Sequence, residues 1–212
     1  MDNVKKVTVQ DVKDVANKYL GREKSAVSIV LPENCKEVKV SNITQKTEPA
    51  KLVSENSNTQ KYQLSNGATL LLTPNRVNDI IAISIFAKGG EFIEHIPGTA
   101  DLTAVVLTKG SKKYSSVEFA QTMEDNGIKI VPSAKADSFN MTVLTTKNDY
   151  EKTLELLNEI INNATLDEFE IEKAKNDELN SIKKSKDVPL NLAVDNYKAL
   201  IFEGSPYSYS NN

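Results

Sequence analysis

The chain has one cysteine and one histidine in 212 residues, and each scarcity removes a class of chemistry. Cys35 alone allows no internal disulfide and no thiolate metal cluster, and it leaves the compartment open, because disulfides are permitted rather than required outside the cytoplasm. His95 alone cannot supply a pair of imidazoles. Basic charge is short as well: 26 Lys and Arg stand against 29 Asp and Glu, a formal net charge of −3, so the basic field that nucleic acid demands is missing. No run approaches the ~18 apolar residues of a membrane-spanning helix, and the first residues do not read as a signal peptide. The G-x-x-x-x-G-K pattern of a phosphate loop is absent, so Gly89-Gly90 reads as the end of a strand. What is present is a hydrophobic content of 39%, enough for a real core.

Thr8-Val9-Gln10-Asp11 opens a helix with a capping-type start, Val12, Val15, Ala16 and Tyr19 give it an apolar stripe, and Gly21 stops it. Ala26 to Leu31 then reads as a short strand ended by Pro32. A helix and a strand cannot bury a core alone, so residues 1–31 read as the end of a preceding domain. From 32 to 60 the apolar period vanishes and polar residues dominate around Pro49, the composition of a linker. Residues 61–212 read as the next domain. Asn66-Gly67 between two apolar runs predicts a hairpin, and Ile80 to Lys88 a further strand. Ser115-Ser116-Val117-Glu118 is a capping box for a helix with Phe119, Ala120 and Met123 inward. Two antiparallel strands are expected at 128–134 and 138–146. Tyr150, Leu154, Leu157, Ile161 and Ala164 recur at helical spacing, a charged helix follows from Thr165 through Ser181, Pro189 bends or ends it, and a last helix covers about 190–202. The order β-β-β-α-α-β-β-α-α-α predicts an α+β fold, an antiparallel or mixed sheet with helices mainly on one face.

The stretch from Gly98 to Ser111 (GTADLTAVVLTKGS) forms a helical frame with Asp101, Ala104 and Val105 on one face. It resembles the inverted zinc motif of the insulinase/pitrilysin family, G-x-A-H-x-x-E-H followed by G-T or G-S, through Gly98-Thr99-Ala100 and Gly110-Ser111. In that motif two histidines four apart hold zinc and the glutamate beside them takes a proton from the bound water. Asp101 stands at the first histidine, Ala104 at the glutamate and Val105 at the second histidine. The family's third ligand is a glutamate about 76 residues further on, on a helix of the type I-E-x-E-x-x-x-x-L-x-E; here the helix is Ile171 to Ser181, with Ser181 at the ligand position and Ala174 at a second acidic one. The resemblance extends over 61–212, through LSNGATLLLTPN, IIAISIFAKGGEFIEHIPG and the G-x-P-Y-like tail Gly204-Ser205-Pro206-Tyr207. The family's domains also end in a helix and strand similar to VTVQDVKDVANKYL and AVSIVLP.

The resemblance implies no catalytic and no metal-binding residue in this chain, zinc being expected in another, catalytic half of a parent zinc metalloendopeptidase, in the same chain or a separate subunit. The segment would close the substrate chamber and help to bind extended peptides, with no nucleic acid and no membrane segment involved. The alternative is a stand-alone scaffold or interaction protein with a degenerate peptidase fold. Glu91, Glu94 and His95 could be imagined as a metal site, but neighbours in sequence do not converge tetrahedrally on one point. Cys35 has no histidine beside it to make it a nucleophile. Asp101 reads as a first-turn acid favoured by the helix dipole, and Glu168 to Lys186 as a solvated face with intrahelical ion pairs.

Overall fold

In the computed structural model, residues 5–19, 25–30, 50–56, 58–75 and 77–208 are described. Cys35 and most of the expected linker lie outside them. Among the described residues seven strands form one sheet: β1 (Ser25–Val30), β2 (Lys51–Glu55), β3 (Gln60–Gln63), β4 (Thr69–Leu72), β5 (Ile80–Lys88), β6 (Lys129–Ala134) and β7 (Ser138–Thr146). Their spatial order is β2-β3-β4-β1-β5-β7-β6. The pair β1–β4 is parallel and every other neighbouring pair is antiparallel. The sheet is therefore mixed, and the expected α+β class is what the chain adopts.

The helices that accompany the sheet among the described residues include α1 (Val9–Tyr19), α2 (Thr99–Val106), α3 (Ser116–Asp125), α4 (Tyr150–Asn163), α5 (Glu168–Lys186) and α6 (Pro189–Ile201). The alternation of the strands shows where the core sits. Ile81, Ile83 and Ala87 of β5 and Phe139, Met141 and Val143 of β7 are buried, whereas Ile80, Phe86 and Leu144 point to the opposite, exposed face. One buried cluster joins these strands to α1 (Val12, Val15), α2 (Leu102, Val106), α3 (Phe119) and α4 (Leu156, Ile160).

Local chemistry accounts for the ends of the elements. Thr8 and Asp11 cap α1 reciprocally, the Thr8 amide donating to the Asp11 carboxylate at 2.8 Å and the Asp11 amide to the Thr8 hydroxyl at 3.2 Å. Ser115 and Glu118 form the expected capping box on α3. Asp167 accepts from the amides of Phe169 and Glu170 at the start of α5. Pro189 is the first residue of α6, where its missing N–H costs nothing. The predicted β3–β4 hairpin turns through Ser65-Asn66-Gly67, with the Gly67 amide donating to Leu64 O and the Leu64 amide to Ala68 O. Only Gly67 uses a positive φ, 84°; Asn66 instead accepts from the Ala68 amide through its side chain.

Three features depart from the pattern read in the sequence. Lys51–Glu55, within the stretch read as linker, forms the edge strand β2; all five of its residues are exposed, so it is held by backbone pairing to β3 and leaves no apolar period to detect. Helix α4 buries a wider face than expected: Tyr150 and Leu157 are buried and Leu154 and Ala164 pack against the core as read, but the buried face extends to one side. Its fully buried residues include Leu156, Ile160 and Thr153, because Thr153 satisfies its hydroxyl on Thr145 Oγ1 at 2.7 Å and Asp149 O at 2.8 Å and so behaves as a core residue. The segment read as the end of a preceding domain shares this core: β1 lies between β4 and β5, and α1 packs on α2.

Candidate functional site: the degenerate helix and its cleft

Helix α2 is where the zinc motif would stand. Thr99, Ala100, Leu102, Thr103, Ala104 and Val106 are buried, which anchors the helix between α1, α5 and β6. Gly98 takes a left-handed φ of 94° at the N-cap and offers no side chain to the first amides. Glu94 does so from outside the helix: Oε1 accepts from Gly98 N at 2.9 Å and Oε2 from Ala100 N at 2.8 Å. A carboxylate across the positive end of a helix satisfies two otherwise orphaned donors. Glu94 is thereby a capping residue, while His95 beside it is exposed.

The three matched positions have different surroundings. Asp101 is half-buried, Ala104 is buried at 4% exposure, and Val105 is 45% exposed, one turn beyond Asp101. The fourth, Ser181, lies on α5, which packs against α2. Ser181 is exposed and lines a cleft of about 510 Å³ together with Glu91, Lys135, Glu178, Asp195 and Lys198. Aspartate, alanine, valine and serine at these places do not make a zinc ligand set: two have no donor atom, one is a neutral hydroxyl and one a lone carboxylate. Among the described residues no three His, Cys, Asp or Glu side chains converge to hold a metal ion.

Electrostatically the site is an acidic cluster around Asp101. Burial, reinforced by the negative charges of Glu91, Glu94 and Glu178, pushes the Asp101 carboxyl up to about 7, and Lys135 opposes the shift. Glu91 and Glu94 are raised as well, chiefly by burial. Asp101 is in the first turn of its helix, as expected, and there burial and three like charges act against the helix dipole. Near neutral pH the cluster binds a proton, and it offers no nucleophile–base pair. Sequence reading passed over Glu178, which sits one turn before Ser181; its i, i+3 spacing from that residue was the available signal.

Glycine makes the approach of Glu91 possible. The 3₁₀ turn Gly90–Ile93 docks on the β6–β7 hairpin, with amides of Gly89, Glu91 and Phe92 donating to the carbonyls of Asp137, Lys135 and Ala136 at 2.9 to 3.0 Å. Gly90 has φ 84°, and a Cβ there would fall 1.9 Å from Lys135 O. The Gly89-Gly90 pair therefore does more than end a strand: it lets two backbones touch beside the cleft.

The family model for Insulinase (Peptidase family M16) matches residues 70–210, more than half of the chain. No curated protein matches it. Among solved structures, it is similar to a peptidase M16 inactive domain from Pseudomonas fluorescens, with TM-score 0.68 and 21% identity over 73% of this chain and 38% of that one. A protease from Helicobacter pylori gives TM-score 0.63 and 19% identity over 72% of this chain and 38% of that one. The periplasmic protease PqqL from Escherichia coli gives 0.56 and 16%, over 82% and 20% respectively. The chain thus spans less than two fifths of the length of these relatives. With the sequence frame of α2, the mixed sheet and the matched span in agreement, the chain belongs to the insulinase family, peptidase family M16.

Proposed function

We propose that the chain is a non-catalytic segment of a zinc-dependent peptidase, one that walls the substrate chamber and helps to hold extended peptides opposite a companion half that carries the zinc. The observation that carries this reading is the state of four matched positions: Asp101, Ala104 and Val105 sit on a helix packed against the one bearing Ser181, and no imidazole or glutamate stands at any of them. These replacements on packed helices support a frame kept without the family's chemistry. Peptide holding is supported by β6, an edge strand that packs against α2. The Lys135 amide donates to Ser138 O at 2.8 Å, and antiparallel ladders alternate, which turns the backbone groups of Ile130, Pro132 and Ala134 toward the free edge. Pro132 lacks an N–H, a tolerable loss at an edge; the remaining groups can pair with an extended chain whatever its side chains.

The decisive experiment is metal analysis after chelator-free purification, together with a peptide-cleavage assay. The expected outcome is no stoichiometric zinc and no cleavage; zinc held through Asp101 and Ser181 would overturn the reading. Restoring the ligands tests the register. Asp101→His, Val105→His and Ser181→Glu together should create measurable zinc affinity, weaker than a natural site for want of orienting partners, whereas single variants should gain little. Adding Ala104→Glu would place a carboxylate at a buried position, and we expect it to lower stability before it restores activity. Peptide holding is tested by fluorescence anisotropy with an unstructured peptide and its analogue N-methylated at alternate residues, which should bind several-fold more weakly. The alternative, a stand-alone scaffold, predicts no H-x-x-E-H in the same reading frame.

A further inference from the structure

The cleft beside Ser181 carries charges of both signs that the chain leaves unmet. Glu91 comes from the 3₁₀ turn, Lys135 from the β6–β7 hairpin, Glu178 from α5 and Lys198 from α6. Among the described residues these four close neither a side-chain hydrogen bond nor an ion pair. They nevertheless act on one another: burial raises the Glu91 carboxyl, and Lys198 and Lys135 both pull against that shift. Charges drawn out of bulk water are ordinarily paired, and Glu91 and Glu178 are half-buried without a partner.

Helix α6 is turned to supply part of this wall. Asp195, Lys198 and Phe202, three and four residues apart, line the cleft, while Leu190, Tyr197 and Leu200 along the same helix are exposed. An amphipathic helix normally does the reverse, burying its apolar stripe and solvating its charged one. The remaining wall is aromatic. Tyr207 and Phe202 line the cavity with ring centroids 5.7 Å apart, and Phe92 meets the Tyr207 ring edge-on at 4.1 Å. The volume of about 510 Å³ is that of a small-molecule site, for which ~300–1,000 Å³ is usual.

We propose that this cleft binds a short zwitterionic peptide with apolar side chains, its free ammonium set against Glu91 and Glu178, its free carboxylate against Lys135 and Lys198, and a side chain on Phe202 and Tyr207. A ligand of one sign is disfavoured: a cation meets the lysines and an anion the carboxylates, whereas a molecule charged at both ends pairs with both sets. The charges stand on four separate elements around the cavity, an arrangement suited to two ends held apart by peptide units rather than to the adjoining ends of one amino acid. The inference goes beyond the proposed function. There an extended chain pairs with the β6 edge through its backbone; here the two free ends are recognised, and no companion half is needed.

The test is calorimetric titration of the 212-residue chain with the dipeptide leucyl-phenylalanine, its N-acetyl form and its C-terminal amide. The free dipeptide should bind, and each cap should weaken it by about tenfold or more, the effect of losing one charged hydrogen-bonding partner. Glu178→Gln should weaken the free dipeptide by a similar factor and leave the N-acetyl form unchanged, since the ammonium it would meet is already gone. Lys198→Met should do the same for the free dipeptide and leave the amide unchanged. Both positions lie on the cleft wall, so circular dichroism of each variant should match that of the parent. A natively folded chain that binds no dipeptide at millimolar concentration overturns the proposal, as does equal affinity for free and capped forms. Free leucine bound as tightly as the dipeptide overturns the choice of a peptide. Peptide binding that N-methylation weakens and end-capping does not would sink this site and leave the proposed function standing.

Discussion

Replacing Asp101 by asparagine should stabilise the protein, and more so as the pH rises. The carboxyl is pushed up to about 7 in the folded chain from an ordinary value of 3.8. A carboxyl that is harder to ionise when folded favours folding while protonated and opposes it once ionised; its cost is absent below the unfolded value, grows between 3.8 and about 7, and is constant above. A displacement of that size corresponds to about 4 kcal/mol above pH 7 and about 1 kcal/mol near pH 4.5, at ~1.4 kcal/mol per unit. Asparagine has nearly the same shape and no charge, and its loss of negative charge also relieves Glu91, Glu94 and Glu178. Urea unfolding of parent and Asp101→Asn followed by circular dichroism at both pH values is the assay. With a urea dependence of roughly 2 kcal/mol per molar, the midpoint of the variant should exceed the parent's by about 2 M near pH 8 and by about 0.5 M near pH 4.5. A variant whose advantage does not grow with pH would refute the picture of a buried acid held among like charges.

Other perturbations follow from the same contacts. Gly90→Ala should destabilise by about 3 kcal/mol or more, or prevent folding, since its methyl group meets Lys135 O and its φ is positive; the thermal midpoint reports it. Ser115→Ala removes half of the capping box and should cost about 1 kcal/mol in urea unfolding. Leu156→Ala, at a fully buried position, should cost about 2–5 kcal/mol. Glu155 is held down to about 2 mainly by Lys113, with Lys152 and Tyr114 adding to it. Its contribution is therefore present above the ordinary 4.5 and is lost as the pH falls toward 2. Since the pair is partly solvated, Glu155→Gln should lose only about 1 kcal/mol at neutral pH, and nothing near pH 2.

Much of the fold could be read because its signals are local. Capping boxes, Asn66-Gly67, Pro189 and the alternation of β7 act within a few residues, and each lies where the sequence places it. The added breadth of the buried face of α4 escaped because Thr153 and Glu159 are buried polar residues, and their burial depends on partners such as Thr145 and Asn163 rather than on period. At the site, the helical frame of α2 was legible from spacing, and the positions within it were matched through the resemblance to the family motif. The charges that now define it were not. Glu91, Glu94, Glu178 and Lys135 come from a 3₁₀ turn, a loop, a helix and a hairpin turn, and only the folded chain brings them to bear on Asp101. Likewise the outward apolar stripe of α6 has the period of any amphipathic helix; which side meets the body is a tertiary fact.

The central place of β1 has a kinetic consequence. Strands β4 and β5 follow one another in the chain, yet they do not pair, because β1 stands between them with Val27 opposite Leu70 on one side and Ile85 on the other. The middle of the sheet can close only after a strand from near the N-terminus has travelled across the stretch from Val30 to Thr69, and closing so long a loop precedes any reward from the two ladders it completes. Without β1, the backbone amides and carbonyls that β4 and β5 turn toward it have no ladder partner. Residues 25–30 win that place by tether: carried on the same chain, their effective concentration exceeds that of competing strands in solution. A chain begun at Tyr62 would lose β1 together with β2 and half of β3, and it is expected to associate with its own copies through the edges left without partners.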